Sequence, residues 1–425
     1  MTGSEIALLA VFGSLLVLGM PFAFALGLSI LVSTLIAQIN PIVLVQQLMA
    51  GISIYTLLSI PCFIFAGDLM YTGGLSRRLV NVAMVLLGRL RGGAAMVAVL
   101  SATMFGAITG SANATTAAIG RATIPEMTRR GYSLEFSAAL AAAYGPIGIL
   151  IPPSIPMIIW GVVANVSITK LFIGGILPGF LLCLGLMGAS YVHARRMKIP
   201  LEPGRFSWRE LGAALYDGKW SLLAPVIILG GIYGGIFTPT EAGAIGVVYG
   251  LAVGFFYREL RLAELPAMIL RSMKTTAMVL YVVGMSSAFS WLMGYNNLPD
   301  RLGNALLSIS ANPIVILLIV NLLLLVVGSL MDEMAAVIIL ATFLIHVGNI
   351  LGVDPIQYGV MIVMNIAVGL SHPPMGYTVF TASAVSGANV DKMIRPLVPL
   401  IAVELVVLLA VAYVPGISTV LLKLM

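Results

Sequence analysis

The 425 residues include two cysteines, three histidines and only 9% charged side chains, and each scarcity excludes something. Cys62 and Cys183 lie inside apolar runs, where cysteine behaves as a small hydrophobe, so no disulfide framework or thiolate metal site is on offer. His193, His346 and His372 have no carboxylates at ligand spacing, which leaves no catalytic metal centre. No nucleophile with an attached base, phosphate loop or HExxH helix is present, so an ATP-driven pump and an intramembrane metalloprotease are disfavoured. A globular domain of this size would carry about a quarter charged residues, so water is not the main solvent of this chain. The 22 basic residues are spread through loops instead of gathered into a patch with aromatics, which excludes nucleic acid as a partner.

What is abundant is apolar: 60% of residues, a mean hydropathy of +1.09, and 45 glycines. The chain reads as an all-α polytopic protein dissolved in a lipid bilayer. At about 20 residues per crossing of a ~30 Å hydrocarbon core there is room for about ten to twelve passages. Apolar windows predict crossings at 5–19, 22–38, 52–72, 132–166 and 170–194, then at 220–237, 240–257, 275–296, 356–387 and 396–422. The first follows Glu5 and lacks a basic cluster, so it reads as a retained helix and not a secretory signal. Two further stretches, 93–128 and 313–352, are interrupted by GAITGSANATT (106–116) and GSLMDEM (328–334). Their arms of roughly 15 residues reach only about 22 Å, which predicts re-entrant hairpins ending near mid-membrane. Residues 40–50 and 76–90 are amphipathic and too short to cross, and read as interfacial arms bracing the hairpins or as plain surface helices.

These segments repeat at an almost constant offset of roughly 220 residues, the mark of an internal duplication. GLSRRL (74–79) matches NLPDRL (297–302), GS at 110 matches GS at 328, GILIPPS matches GLSHPPM, and Pro21, Pro152 and Pro178 find partners at Pro239, Pro373 and Pro399. One such match would be bland, but several at one offset argue for two copies. Five crossings and a hairpin per copy is an odd number, so the second copy enters from the opposite side. The predicted organisation is one inverted repeat at 1–197, with the hairpin 93–128 opening inward and the broken helix 132–166. A cytoplasmic linker at 198–219 follows, then a second inverted repeat at 220–425, with the hairpin 313–352 opening outward and the broken helix 356–387. Charge is an independent test: this topology puts 19 of the 22 Lys and Arg residues on one side, and only Lys170, Arg301 and Lys423 on the other. The positive-inside rule makes the crowded side cytoplasmic and both termini periplasmic.

Nonhelical backbone at membrane depth costs several kcal/mol per unpaired group, so it survives only inside protein or along a polar cavity. Four such places are predicted. They are the tips (Gly110, Ser111, Asn113, Thr115, Thr116 and Gly328, Ser329, Asp332, Glu333) and the breaks (Gly145 to Ser154 and Gly369 to Gly376). Proline pairs free carbonyls, and carbonyl and hydroxyl oxygens suit a hard cation, sodium better than a catalytic metal. The helix amino ends beyond each tip and break attract an anion. On the GS match, Asp332 and Glu333 stand where the first half has Ala114 and Thr115. A carboxylate at that depth marks an ion path, the alternative being a cap for the helix that follows. His372 reads as a neutral histidine bonding freed backbone, with a proton relay as the other possibility. Glu404, alone in the last helix, is expected to meet a basic residue of another helix or subunit, the alternative being proton movement, and Asp68 is expected to be paired.

The runs FGAITGSANATTAAIGRATIPEM (105–127) and AALAAAYGPIGILIPPSIPMIIWG (138–161), joined to the SHPP break, resemble the large membrane subunit of tripartite ATP-independent periplasmic (TRAP) transporters over essentially the whole chain. The resemblance implies an elevator-type secondary transporter: a domain of hairpins and broken helices slides against a scaffold, driven by at least two sodium ions. It implies two partners, a small four-helix membrane subunit and a periplasmic substrate-binding protein, and a small organic anion such as sialic acid or a C4-dicarboxylate as cargo. Carried over by position, the first sodium site falls on Ser111 and Asn113 with backbone near Gly148 and Pro152. The second falls on Gly328 and Asp332 with backbone near Gly369 and Ser371. Substrate lies against Ser111, Ser154 and Asp332. The tip TGSANATT departs from relatives that place another small residue or proline after GS. A self-sufficient sodium and dicarboxylate symporter of related architecture is the competing reading.

Overall fold

The computed structural model describes residues 3–20, 22–201, 207–310 and 312–424. Pro21, one anchor of the repeat, and residues 202–206 of the expected linker lie outside the described residues. All regular structure among the described residues is helical. The first half runs α1 (Gly3–Val17), α2 (Phe22–Ile36), α3 (Ile42–Ile52), α4 (Ser59–Thr72) and α5 (Leu75–Leu87). A helical hairpin follows, α6 (Gly93–Thr109) and α7 (Ala112–Arg129). Then comes a broken segment, α8 (Leu134–Tyr144), α9 (Ile147–Leu150) and α10 (Ile155–Val163), and the long α11 (Ile168–Arg196). The second half keeps this order with α12 (Trp208–Tyr233), α13 (Pro239–Phe256), α14 (Leu265–Tyr295) and α15 (Leu298–Ile309). Its hairpin is α16 (Pro313–Leu330) and α17 (Glu333–Leu351), its broken segment α18 (Pro355–Gly369) and α19 (Tyr377–Ser386), and α20 (Val390–Tyr413) and the short α21 (Pro415–Thr419) close the chain.

Local chemistry sets these limits. Ser133, Ser167, Ser207, Asp354 and Asn389 each accept an amide of the first turn they precede, and Thr238 with Glu241 forms a reciprocal capping box on α13. The cap at Ser207 starts α12 inside the stretch expected to be linker, so the connector is shorter than 198–219. The hairpin arms are also longer than composition suggests: they hold 17, 18, 18 and 19 residues. The turn at each tip occupies only two positions outside helix, so less of the interrupted stretch is lost to it than its small and polar residues imply.

Among the described residues, seven helices can cross a membrane by length and composition, or eight if Leu134–Leu150 and Ile155–Val163, bent by 44°, form one span. That is fewer than the ten expected crossings, and the count includes both arms of the second hairpin. Helices α1, α2 and α18 have 15 residues each, too few to reach across alone.

Packing exchanges partners between the halves: α4 lies along α13 and α14 along α2, α5 against α12, α7 against α19, α10 against α17, and α11 against α20. Small residues make the first of these close. A Cβ on Gly243 would stand 2.8 Å from the Cβ of Cys62, and one on Gly250 would stand 3.1 Å from that of Leu69. Lipid supplies no hydrophobic drive between helices, so such close contact is what holds them.

We expect Gly243→Ala to lower the melting temperature of the purified protein in detergent, since overpacking of this kind costs about 1–3 kcal/mol. Gly188→Ala is the comparison: a Cβ there meets nothing within 4 Å, and its melting temperature should not fall.

Candidate ion and substrate site

The first hairpin turns on two residues. Gly110 takes a left-handed conformation (φ 62°) that closes α6, and Ser111 is extended and caps α7 by accepting the amide of Ala114 at 3.4 Å. This turn lies directly on the first break. A Cβ on Gly110 would stand 2.4 Å from the carbonyl oxygen of Pro153, and one on Gly106 would stand 2.7 Å from the Cα of Gly148. From the other side, a Cβ on Gly148 would meet the carbonyl oxygen of Ser111 at 2.9 Å and Thr115 Oγ1 at 2.3 Å. Glycine is therefore required on both surfaces, and the contact is backbone on backbone. It gathers Ser111 and Gly148 with Pro152 and Pro153, which are joined by a cis peptide bond.

The second half repeats the device. A Cβ on Gly369 would stand 2.8 Å from the Cα of Gly328, and the amide of Gly376 donates to the carbonyl of Ser329 at 3.3 Å. Pro373 and Pro374 also share a cis bond. Asp332 is extended and caps α17, its Oδ1 accepting the amide of Met334 at 3.0 Å. Ser111 and Asp332 thus hold the same station in the two copies, in the register that also pairs Pro152 with Pro373. This corrects the register read from the GS dipeptides: the counterpart of Asp332 is Ser111 and not Ala114. GS marks turn-forming composition, and in the second hairpin α16 continues past it, whereas the cap is fixed by the first free amide of the next helix.

The two centres are tied together. Asn113 Oδ1, in the first turn of α7, accepts from Thr381 Oγ1 of α19 at 3.0 Å. Close by, a Cβ on Gly145 would meet Thr116 Oγ1 at 2.4 Å and the Cγ2 of Thr378 at 2.8 Å. The first hairpin, the first break and the helix after the second break share this point. Ser154 is fully buried and caps α10 by accepting the amide of Met157, so its hydroxyl is closed off from solvent in this conformation.

Among the described residues no basic side chain meets Glu404. It is fully buried in α20, and its Oε2 lies 2.6 Å from Ser371 Oγ, whose single hydroxyl hydrogen is shared with the carbonyl of Val368 at 2.8 Å. A side-chain hydroxyl of the second break is its partner in place of an arginine. His372 Nδ1 lies 2.8 Å from that same carbonyl, as a histidine bonding freed backbone should. Asp68 is paired as expected, with Arg271 Nε at 2.9 Å and Ser272 Oγ at 3.1 Å.

Sequence reasoning missed a buried amide pair. Asn365 Nδ2 of α18 donates to Asn321 Oδ1 of α16 at 2.6 Å, and Asn321 Nδ2 reaches the carbonyl of Leu317 at 2.7 Å. Asn321, the one amide inside α16, and Asn365, deep in the apolar run of α18, were the available signal. This pair locks the second hairpin to its broken helix as one body. We expect Asn365→Leu to cost about 1–3 kcal/mol, because it leaves the Asn321 acceptor buried without a donor. Replacing both residues with Leu should cost less than the sum of the single changes, as read by melting temperature.

Comparison with known proteins places this geometry. The family description "Tripartite ATP-independent periplasmic transporter, DctM component" matches residues 9–417. The chain is 42% identical over 408 residues to the isethionate TRAP transporter permease protein DctMQ of Oleidesulfovibrio alaskensis, covering 96% of this chain and 64% of that longer protein. It is 41% identical over 365 residues to the C4-dicarboxylate TRAP transporter large permease protein DctM of Pseudomonas aeruginosa, covering 86% of this chain and 85% of that one. Among solved structures, the Alcanivorax borkumensis YdaH transporter has a similar fold, with a TM-score of 0.59 and 17% identity over 88% of this chain and 87% of that one.

Proposed function

The chain belongs to the DctM family of tripartite ATP-independent periplasmic transporters, and from that membership we propose that it imports a small organic anion coupled to sodium by an elevator movement. Membership makes it a multi-pass permease component of a bacterial inner membrane and not an enzyme. Relatives named for isethionate and C4-dicarboxylate support an anionic cargo, and sialic acid fits the same chemistry. A small four-helix membrane subunit completes the scaffold and a periplasmic binding protein delivers the cargo. The halves are inverted repeats with both termini periplasmic, a reading supported by their common order of elements and by the distribution of basic residues.

The observation that carries the coupling is the pairing of each tip with its own break. Gly110 lies on the nonhelical carbonyl of Pro153, and the end of α16 at Gly328 and Ser329 lies on Gly369 and the nonhelical Gly376, so each half brings freed backbone and a helix amino end close together. In this reading the first sodium ion takes Ser111, Asn113 and backbone near Gly148 and Pro152. The second takes Gly328, Asp332 and backbone near Gly369 and Ser371. The anion sits between the tips against Ser111, Ser154 and Asp332, where helix amino ends and two cations offset its charge. No ATP is needed: two sodium ions moving with one monoanion carry a net positive charge, worth about 2.3 kcal/mol per 100 mV, enough for about a fiftyfold gradient.

Uptake into proteoliposomes holding the complete transporter and its binding protein tests this. An inward sodium gradient should be required, and for a monoanionic cargo an inside-negative potential should raise accumulation. Asp332→Asn and Ser111→Ala should each lower uptake by roughly tenfold or more, at the scale of a lost charged hydrogen bond. Uptake indifferent to sodium and to both substitutions would reject the coupling. Sodium-dependent uptake by this chain alone would favour the self-sufficient symporter.

A further inference from the structure

We infer that Arg78 and Arg301 are twin positioning residues that clamp the amphipathic arms α5 and α15 to the framework, so that the first hairpin swings against a fixed arm. The inference rests on the sliding movement proposed above and names the joints that such a movement must leave unmoved.

The two arginines occupy the same place in GLSRRL and NLPDRL, and each grips the first helix of the other half. Arg78 Nε lies 3.6 Å from Asp217 of α12, and its Nη1 lies 2.9 Å from Glu259 just beyond α13. Its guanidinium also stands 3.5 Å over the ring of Tyr257, and Nη1 donates to the carbonyl of Gly74 at 3.0 Å. Arg301 Nη1 holds both carboxylate oxygens of Glu5 in α1, at 3.1 and 3.2 Å, and Glu5 is only 1% exposed. The exchange is reciprocal, arm of the first half on α12 and arm of the second on α1. Glu5 is buried, so parting it from Arg301 costs more than parting an apolar contact would, while Arg78 is held by Glu259 and the ring of Tyr257 as well as by the more exposed Asp217.

Where arm, framework and hairpin meet there is a cavity of about 400 Å³, lined by Arg77, Arg78 and Asn81 of the arm, Asp217 of α12, and Val97 and Thr123 of the hairpin. The arm is thus ion-paired where it meets the framework, and the hairpin's polar hold on it lies at the hairpin's base, where Arg130 Nη1 donates to the carbonyl of Gly88 at 3.0 Å and Nη2 reaches Met84 Sδ at 3.3 Å. Between them, Gly92 takes a left-handed conformation (φ 82°) just before α6 begins at Gly93, a place where chain direction can change without side-chain strain. Framework and hairpin also touch directly, Arg121 Nη1 of α7 donating to the hydroxyl of Tyr71 in α4 at 3.4 Å, and that contact must break if the hairpin slides.

Reversible cross-linking of cysteine pairs decides the matter. Cys62 and Cys183 are first replaced by Ser or Ala, and each pair is joined by a short cleavable bis-thiosulfonate in the complete transporter. Uptake by each variant is compared joined and reduced, so any folding defect appears in the reduced state. Joining Arg78→Cys to Asp217→Cys, or Glu5→Cys to Arg301→Cys, should leave uptake within about twofold of the reduced protein, whereas joining Tyr71→Cys to Arg121→Cys should lower it by about tenfold or more. The two arms are independent variants, so failure of one to fold leaves the other as the test. If joining either arm stops uptake and joining Tyr71 to Arg121 also stops it, sliding stands and the fixed arm is overturned. If joining Tyr71 to Arg121 leaves uptake intact, sliding itself fails, and the inference falls with it.

Discussion

Backbone amides and carbonyls cannot be left bare in hydrocarbon, and the rest of this structure depends on how that constraint is met. The chain is helical almost throughout because a helix pairs its own backbone. Each half is interrupted at a hairpin tip and at a break, and there backbone lies on backbone: the turn at Gly110 and Ser111 lies on Gly148 to Pro153, and the end of α16 at Gly328 and Ser329 lies on Gly369 to Gly376. Glycine makes the approach possible. With a Cβ at Gly106, Gly148, Gly328 or Gly369 the surfaces would stand apart and the exposed carbonyls would face lipid. The same closeness concentrates oxygen atoms and helix amino ends, and the proposed cation and anion sites rest on that.

Duplication explains the regularity but not the chemistry. In the register set by the helix caps, Asp332 answers Ser111 and Glu404 answers Cys183, and both carboxylates fall in the second half. Ser371 supplies the hydroxyl that Glu404 needs, and the amide pair of Asn321 and Asn365 stiffens the same region. The second half therefore carries more buried polar interaction around its break. The link between Asn113 and Thr381 joins the two centres across the halves.

Much of this was legible in the residues. The tips, both breaks, the paired state of Asp68 and the backbone role of His372 follow from proline, glycine and charge placed against an apolar background, because in lipid each such residue needs a reason. What escaped was set by three-dimensional contact. The GS dipeptides suggested a register displaced from the one the helix caps adopt, since composition locates a turn only loosely while a cap is pinned to one amide. The start of α12 at Trp208 was hidden because its first turns are polar, as an amphipathic entry to the membrane must be. The partner of Glu404 and the amide pair lie 33 and 44 residues apart in sequence, and nothing local signals which of several polar residues will meet.

The central claim is that each tip and its break enclose a sodium ion. Density maps of the complete transporter, recorded at matched resolution in sodium and in choline, test it most directly. The account predicts two peaks present only in sodium, one among Ser111, Asn113, Gly148 and Pro152, the other among Gly328, Asp332, Gly369 and Ser371. Maps identical in the two salts at both places, or continuous helix through 145–154 and 369–376, would contradict it.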